Sequence, residues 1–76
     1  MGTLMEVIVM LPFYNEELQI PISVSRLLPI LDGQNLTYSL LLIDDGSKDH
    51  TWSAIMAEAA NQPDKVRGLR LSRNFG

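Results

Sequence analysis

The sequence predicts an α/β fold, a β-α-β-α-β run on a parallel sheet, and three observations predict it. Two stretches, Met5 to Leu11 (MEVIVML) and Tyr38 to Ile43 (YSLLLI), are almost wholly apolar, as strands covered on both faces are. Between and after them, apolar residues fall at helical spacing. Strands and helices alternate, so right-handed crossovers and the strand order 3-2-1 are expected, and a three-layer arrangement with them. This is one mononucleotide-binding half of a Rossmann-like sheet, truncated so that one edge lacks its further strands.

The first strand is expected to stop at Pro12, which has no N–H to donate to a ladder. PFYNEE then forms a loop. Ile20, Val24, Leu27, Leu28 and Leu31 stand at i, i+4, i+7, i+8 and i+11. Pro21 suits a first helical position, so the helix begins near it. Pro29 predicts a kink or an early stop, and Asp32-Gly33-Gln34-Asn35 a terminus. After the second strand, DDGSKD is the expected turn. A helix from about Asp49 to Asn61 carries Trp52, Ile55, Met56 and Ala59 at i, i+3, i+4 and i+7, with Trp52 and Met56 expected in the core. Pro63-Asp64 breaks it. Val66 to Ser72 is the third strand, with Leu69 and Leu71 on one face and Arg67 and Arg73 in the same register.

With 76 residues and no cysteine, the chain is at most one domain, spanning 1–76, without disulfides or a cysteine-held zinc. A core this small supplies only about 3–5 kcal/mol, so a poorly stable or aggregating isolated chain is expected. Hydrophobic residues make up 46% and charged residues 20%, which excludes a disordered chain. Six Lys+Arg against nine Asp+Glu give a net charge of −3, which disfavours nucleic acid as a partner. No basic signal region opens the chain, and no stretch is long and apolar enough to span a membrane.

In open parallel sheets, ligands bind beyond the carboxyl ends of the strands. Three loops should converge there: PFYNE, DDGS and SRNFG. Tyr14 offers a ring face for a base and a hydroxyl. Glu16 and Asp45 can accept N–H or ribose O–H groups through charge-assisted bonds. Gly46 permits a positive-φ turn, Ser47 or Asp49 can cap the next helix, and Arg73 can meet a phosphate. Taken singly, each has a plainer reading. Asp44 and Asp45 also suit strand-end residues of an ordinary Asp-Gly turn. Glu16 and Glu17 also suit the N-terminus of the first helix. Tyr14 also suits packing, His50 a solvated helix start, and Arg67 and Arg70 ordinary surface charges. Neither G-x-G-x-x-G, nor G-x-x-x-x-G-K-[ST], nor G-x-S-x-G occurs, which disfavours dinucleotide oxidoreductases, P-loop NTPases and serine hydrolases of the elbow type.

Together, VIVMLPFYNEE, LLIDDGSKDHTWSAI and VRGLRLSRNFG resemble the start of family 2 glycosyltransferases of the GT-A fold, and SRNFG is similar to the polyprenyl-phosphate (dolichol-phosphate-mannose-synthase-like) subgroup. The resemblance covers nearly the whole chain. It implies that Pro12, Tyr14 and Glu16 form the first nucleotide-binding loop. It further implies that Asp45 bonds the base of a UDP- or GDP-sugar, with Asp44 beside it and Arg73 near donor or acceptor phosphates. The implied enzyme moves a sugar to a polyprenyl phosphate at the cytoplasmic face of a membrane, in cell-envelope glycan biosynthesis.

The family's D-x-D motif, which holds Mg²⁺ or Mn²⁺ on the donor diphosphate, does not occur in this sequence, nor does its catalytic base. The chain itself is therefore expected to bind nucleotide without transferring sugar. A second class stays open: a non-catalytic fragment or small nucleotide-binding module. A receiver-like signalling domain is disfavoured, because it needs an acidic pair after the first strand and an aspartate after the third. Self-association through the open sheet edge is also expected.

Overall fold

The computed structural model describes residues 6–72. Its elements follow the expected order: β1 (Glu6–Phe13), α1 (Gln19–Asp32), β2 (Thr37–Asp45), α2 (Thr51–Asn61) and β3 (Val66–Leu71). The strands form one parallel sheet in the order β1-β2-β3. Val9 pairs with Leu40, and Leu40 with Val66. Strand side chains alternate, so one face carries Leu11, Phe13, Leu40, Leu42, Val66 and Gly68.

That face holds the core. Phe13, Leu40, Leu42 and Val66 pack with Ile20 and Val24 of α1 and Ile55 of α2. Fully burying a side chain such as Ile55 stabilises by about 1.5–3 kcal/mol. Both helices therefore lie on the same face. Two successive right-handed crossovers that step the same way across a sheet must do this. Residues 6–72 consequently form two layers, not three. On the opposite face Ile8 and Met10 are 62% and 61% exposed, and Leu69 and Leu71 are 43% exposed each. The expectation of strands covered on both faces is corrected on this point.

Other local expectations shift. Pro12 does not end β1 but pairs with Ile43 inside it. Among the described residues β1 is an edge strand, where only one side of the backbone needs donors. Pro21 sits in the first turn of α1, where an N–H has no intrahelical partner. The early stop at Pro29 does not occur: α1 continues to Asp32, and the Gly33 N–H closes onto the Pro29 carbonyl at 3.2 Å. Pro29 deprives the Ser25 carbonyl of a partner, but both residues are exposed, so water can take it.

α2 begins at Thr51 rather than Asp49. Met56 is exposed, not buried, while Trp52 is half-buried against the core. α2 packs on β2, β3 and α1, and Met56 falls outside the stripe that these contacts cover. At the opposite end of the sheet from the strand carboxyl ends, the Tyr38 hydroxyl donates to Asp32 Oδ1 at 2.6 Å. Lys65 Nζ meets the same oxygen at 2.8 Å. This joins the end of α1 to the start of β2 and the approach to β3. No helix of the described residues is long and apolar enough to cross a membrane.

Candidate functional site

The carboxyl ends of β1, β2 and β3 share one rim, and the loops leaving β1 and β2 are tied to each other. The Asn15 N–H donates to Ser47 Oγ at 2.8 Å, and the Lys48 N–H returns to Asn15 Oδ1 at 2.9 Å. The Glu16 N–H donates to Thr51 Oγ1 at 2.9 Å, and the Glu17 N–H to Asp49 Oδ2 at 3.4 Å. Asn15 has φ 51 and Gly46 φ 74. Asn is among the few side-chain-bearing residues that adopt this region readily, and Gly adopts it freely.

Asp44 and Asp45 are the last two residues of β2 and lead directly into the turn. The period of two sends them to opposite faces. Asp44 faces the helices and is fully buried. Its Oδ1 accepts the Ser47 N–H at 2.8 Å, which closes the Asp-Asp-Gly-Ser turn. Its Oδ2 makes no hydrogen bond and lies 3.6 Å from Arg70 Nε. Asp45 is half-buried and lies on the open face, the face that also carries Pro12 and Leu71.

Tyr14 is 41% exposed beside this rim. Its N–H donates to Glu16 Oε1 at 3.2 Å. Glu16 is exposed, and its carbonyl accepts the Gln19 N–H at 3.0 Å, which starts α1. Asn15, Glu16, Glu17, Leu18, Gln19 and Asp49 line a cleft between the two loops. A second concavity, lined by Gly46, Ser47, Arg70, Leu71 and Ser72, joins the β2 turn to the end of β3. Arg73, the expected phosphate contact, lies outside the described residues.

Asp49 organises the start of α2. Its Oδ1 accepts the Thr51 N–H at 3.0 Å and also the Thr51 hydroxyl. That hydroxyl bond is the main reason the Asp49 carboxyl is held below its ordinary value of 3.8, with backbone donors from Thr51 and Glu17 adding to it and partial desolvation opposing. Thr51 is itself fully buried and bridges Asp49 to Glu16.

The structure thus brings Pro12, Tyr14, Glu16, Asp44 and Asp45 to one rim. It also assigns parts that the sequence reading missed. Asn15 is one, two residues past the end of β1, where an Asn is a signal for positive φ. Thr51 is another. Arg70 is exposed, as expected of a surface charge, and its register partner in β2 is Asp44. Among the described residues, no group of three His, Cys, Asp or Glu side chains comes together as a metal-holding set.

Comparison with known proteins shows the family. A family model described as "Glycosyl transferase family 2" matches residues 8–76. An undecaprenyl-phosphate 4-deoxy-4-formamido-L-arabinose transferase of Shewanella sediminis is 43% identical over 90% of this chain and 20% of its own length. The protein of the same name from Aeromonas hydrophila is 40% identical over 90% of this chain and 21% of its own length. An uncharacterized glycosyltransferase of Bacillus subtilis, YkcC, is 37% identical over 90% of this chain and 21% of its own length. The chain spans about a fifth of the length of these curated relatives.

Proposed function

The chain belongs to glycosyl transferase family 2, and on that premise we propose that its β1, β2 and β3 rim binds the nucleotide of a UDP- or GDP-linked sugar donor. The observation that carries this reading is the division of labour between the two adjacent carboxylates. Asp44 is buried and spends Oδ1 on the Ser47 N–H, so it shapes the turn. Asp45 is delivered by the same strand to the open face. A carboxylate there accepts the imide N–H of uracil or the N–H groups of guanine. Tyr14 supplies a ring face for the base, and Glu16 an acceptor for a ribose hydroxyl. Arg73 is assigned to a phosphate.

The polypeptide function proposed for this rim is transfer of the sugar to a polyprenyl phosphate at the cytoplasmic face of a membrane. It is supported by the relatives named as undecaprenyl-phosphate sugar transferases. Residues 1–76 on their own are proposed to bind donor nucleotide without turnover, since their sequence contains no D-x-D. The family's Mg²⁺ or Mn²⁺ is not assigned to any of residues 6–72.

Calorimetric titration of UDP and GDP into the chain tests the site. One of the two should bind, and Asp45→Asn should weaken it about tenfold, the difference between a charge-assisted and a neutral hydrogen bond. Equal affinity for parent and variant, or no binding to the parent, contradicts the reading.

A further inference from the structure

The proposed nucleotide site uses Asp45 but leaves its buried neighbour only half accounted for. Asp44 is 0% exposed, its Oδ2 has no hydrogen-bond partner, and Arg70 Nε stands 3.6 Å from that oxygen. A buried carboxylate needs a compensating charge, and Arg70, 56% exposed, reaches it from the solvent side, so water still screens the pair in part. Arg70 is also held from a second side. Its guanidinium carbon lies 5.8 Å from the centre of the Trp52 ring. A planar guanidinium stacks on such a ring, which a lysine ammonium does not do in the same way. Trp52 in turn packs over β3, where its ring would meet a Cβ built on Gly68 at 3.2 Å. The Arg70 side chain therefore runs from a fixed ring to the carboxylate that shapes the Asp44–Ser47 turn. The cross-strand register places the two residues directly opposite each other.

We infer that Arg70 is a positioning residue: stacked on Trp52 and paired with Asp44, it fixes the turn that presents Asp45 to the nucleotide base. The inference rests on the proposed role of Asp45 and adds a residue to it. Arg70 acts through Asp44 and does not touch the base. Its loss frees the turn to move, and Asp45 with it, while the fold is retained.

A double-mutant cycle on the whole chain tests this. UDP and GDP are titrated into the parent, Arg70→Gln, Asp45→Asn and the double variant, with circular dichroism showing that each is folded at the temperature used. Arg70→Gln is expected to weaken binding about tenfold in the parent and to have no further effect in the Asp45→Asn background. Arg70→Lys keeps the charge without the planar stack, is the variant to use if Arg70→Gln does not fold, and should fall between parent and Gln. Additive losses, or parent-like binding by Arg70→Gln and Arg70→Lys, overturn the inference and leave the Asp45 reading standing. An Asp45→Asn variant that binds as the parent does, or a parent that binds neither nucleotide, overturns both.

Discussion

The Asn15 N–H donates to the Ser47 hydroxyl at 2.8 Å, joining residues 32 apart in sequence. This bond, with its return from Lys48 to Asn15 Oδ1, makes two loops into one rim. Ser47 is nearly buried, so its loss is not compensated by free access of water. Ser47→Ala is expected to cost about 1 kcal/mol in a urea melt, the net worth of a typical hydrogen bond. The same variant should weaken nucleotide binding, because the first loop loses its hold on the second. Unchanged stability and affinity would show that the two loops are ordered independently.

Gly68 is a packing requirement. A Cβ built on it lies 2.7 Å from Ile55 Cγ2 and 3.2 Å from the Trp52 ring. Ile55 is fully buried and has nowhere to go. Gly68→Ala is expected to lower stability by about 1–3 kcal/mol through overpacking. A thermal melt of the variant checks this, and a parent-like midpoint would mean that α2 can slide on the sheet.

Acid should weaken the fold through two carboxyls at opposite ends of the sheet. The Thr51 hydroxyl holds Asp49 below 3.8, and Lys65 does the same for Asp32. A depressed folded pKa contributes stability that is present above the unfolded value and is lost as pH falls through the folded one. Urea midpoints should therefore drop between about pH 5 and pH 2. Thr51→Val should flatten part of that slope. At the alkaline end, Asp32 raises Lys65 above 10.5, while burial first and Asp32 second raise Tyr38 above 10.0. Both contributions are present below those values and vanish as pH rises through the raised ones. Asp32→Asn should reduce the alkaline loss along with its share of the acid one.

The open face of the sheet carries Ile8, Met10, Leu69 and Leu71. Contiguous exposed apolar surface promotes association. We propose that the chain self-associates through this face as well as through its strand edges. Ile8→Lys with Leu69→Lys should shift it toward monomer in sedimentation velocity at matched concentration. An unchanged distribution would direct attention to the edges of β1 and β3 alone.

The elements were legible because each rests on a local signal. Val7 to Val9, Leu40 to Leu42, and the spacing from Ile20 to Leu31 announce their own structure. Misplaced boundaries came from applying single-residue rules without tertiary context. Pro12 is a stop signal, but it stands in an edge strand; Pro29 signals a kink or an early stop, but the Ser25 carbonyl it orphans is exposed and α1 runs on. Met56 fits the helical stripe yet is exposed, because stripe width depends on how much sheet lies beneath. The five rim residues placed by the structure were found by resemblance and loop position. Asn15, Thr51 and Arg70 were not, since their partners are set by register and by contacts between distant segments. Such pairings leave no periodic trace in a sequence.

The central claim, that the rim of Tyr14, Glu16 and Asp45 receives a nucleotide, is tested most directly by amide chemical shifts. A ¹⁵N-labelled chain titrated with UDP and with GDP would be followed residue by residue. Saturable shifts are expected at Tyr14, Glu16, Asp45 and Gly46, with little change around Asp32, Tyr38 and Lys65 at the other end of the sheet. Shifts spread evenly over both ends, or absent from the rim with both nucleotides, would contradict it.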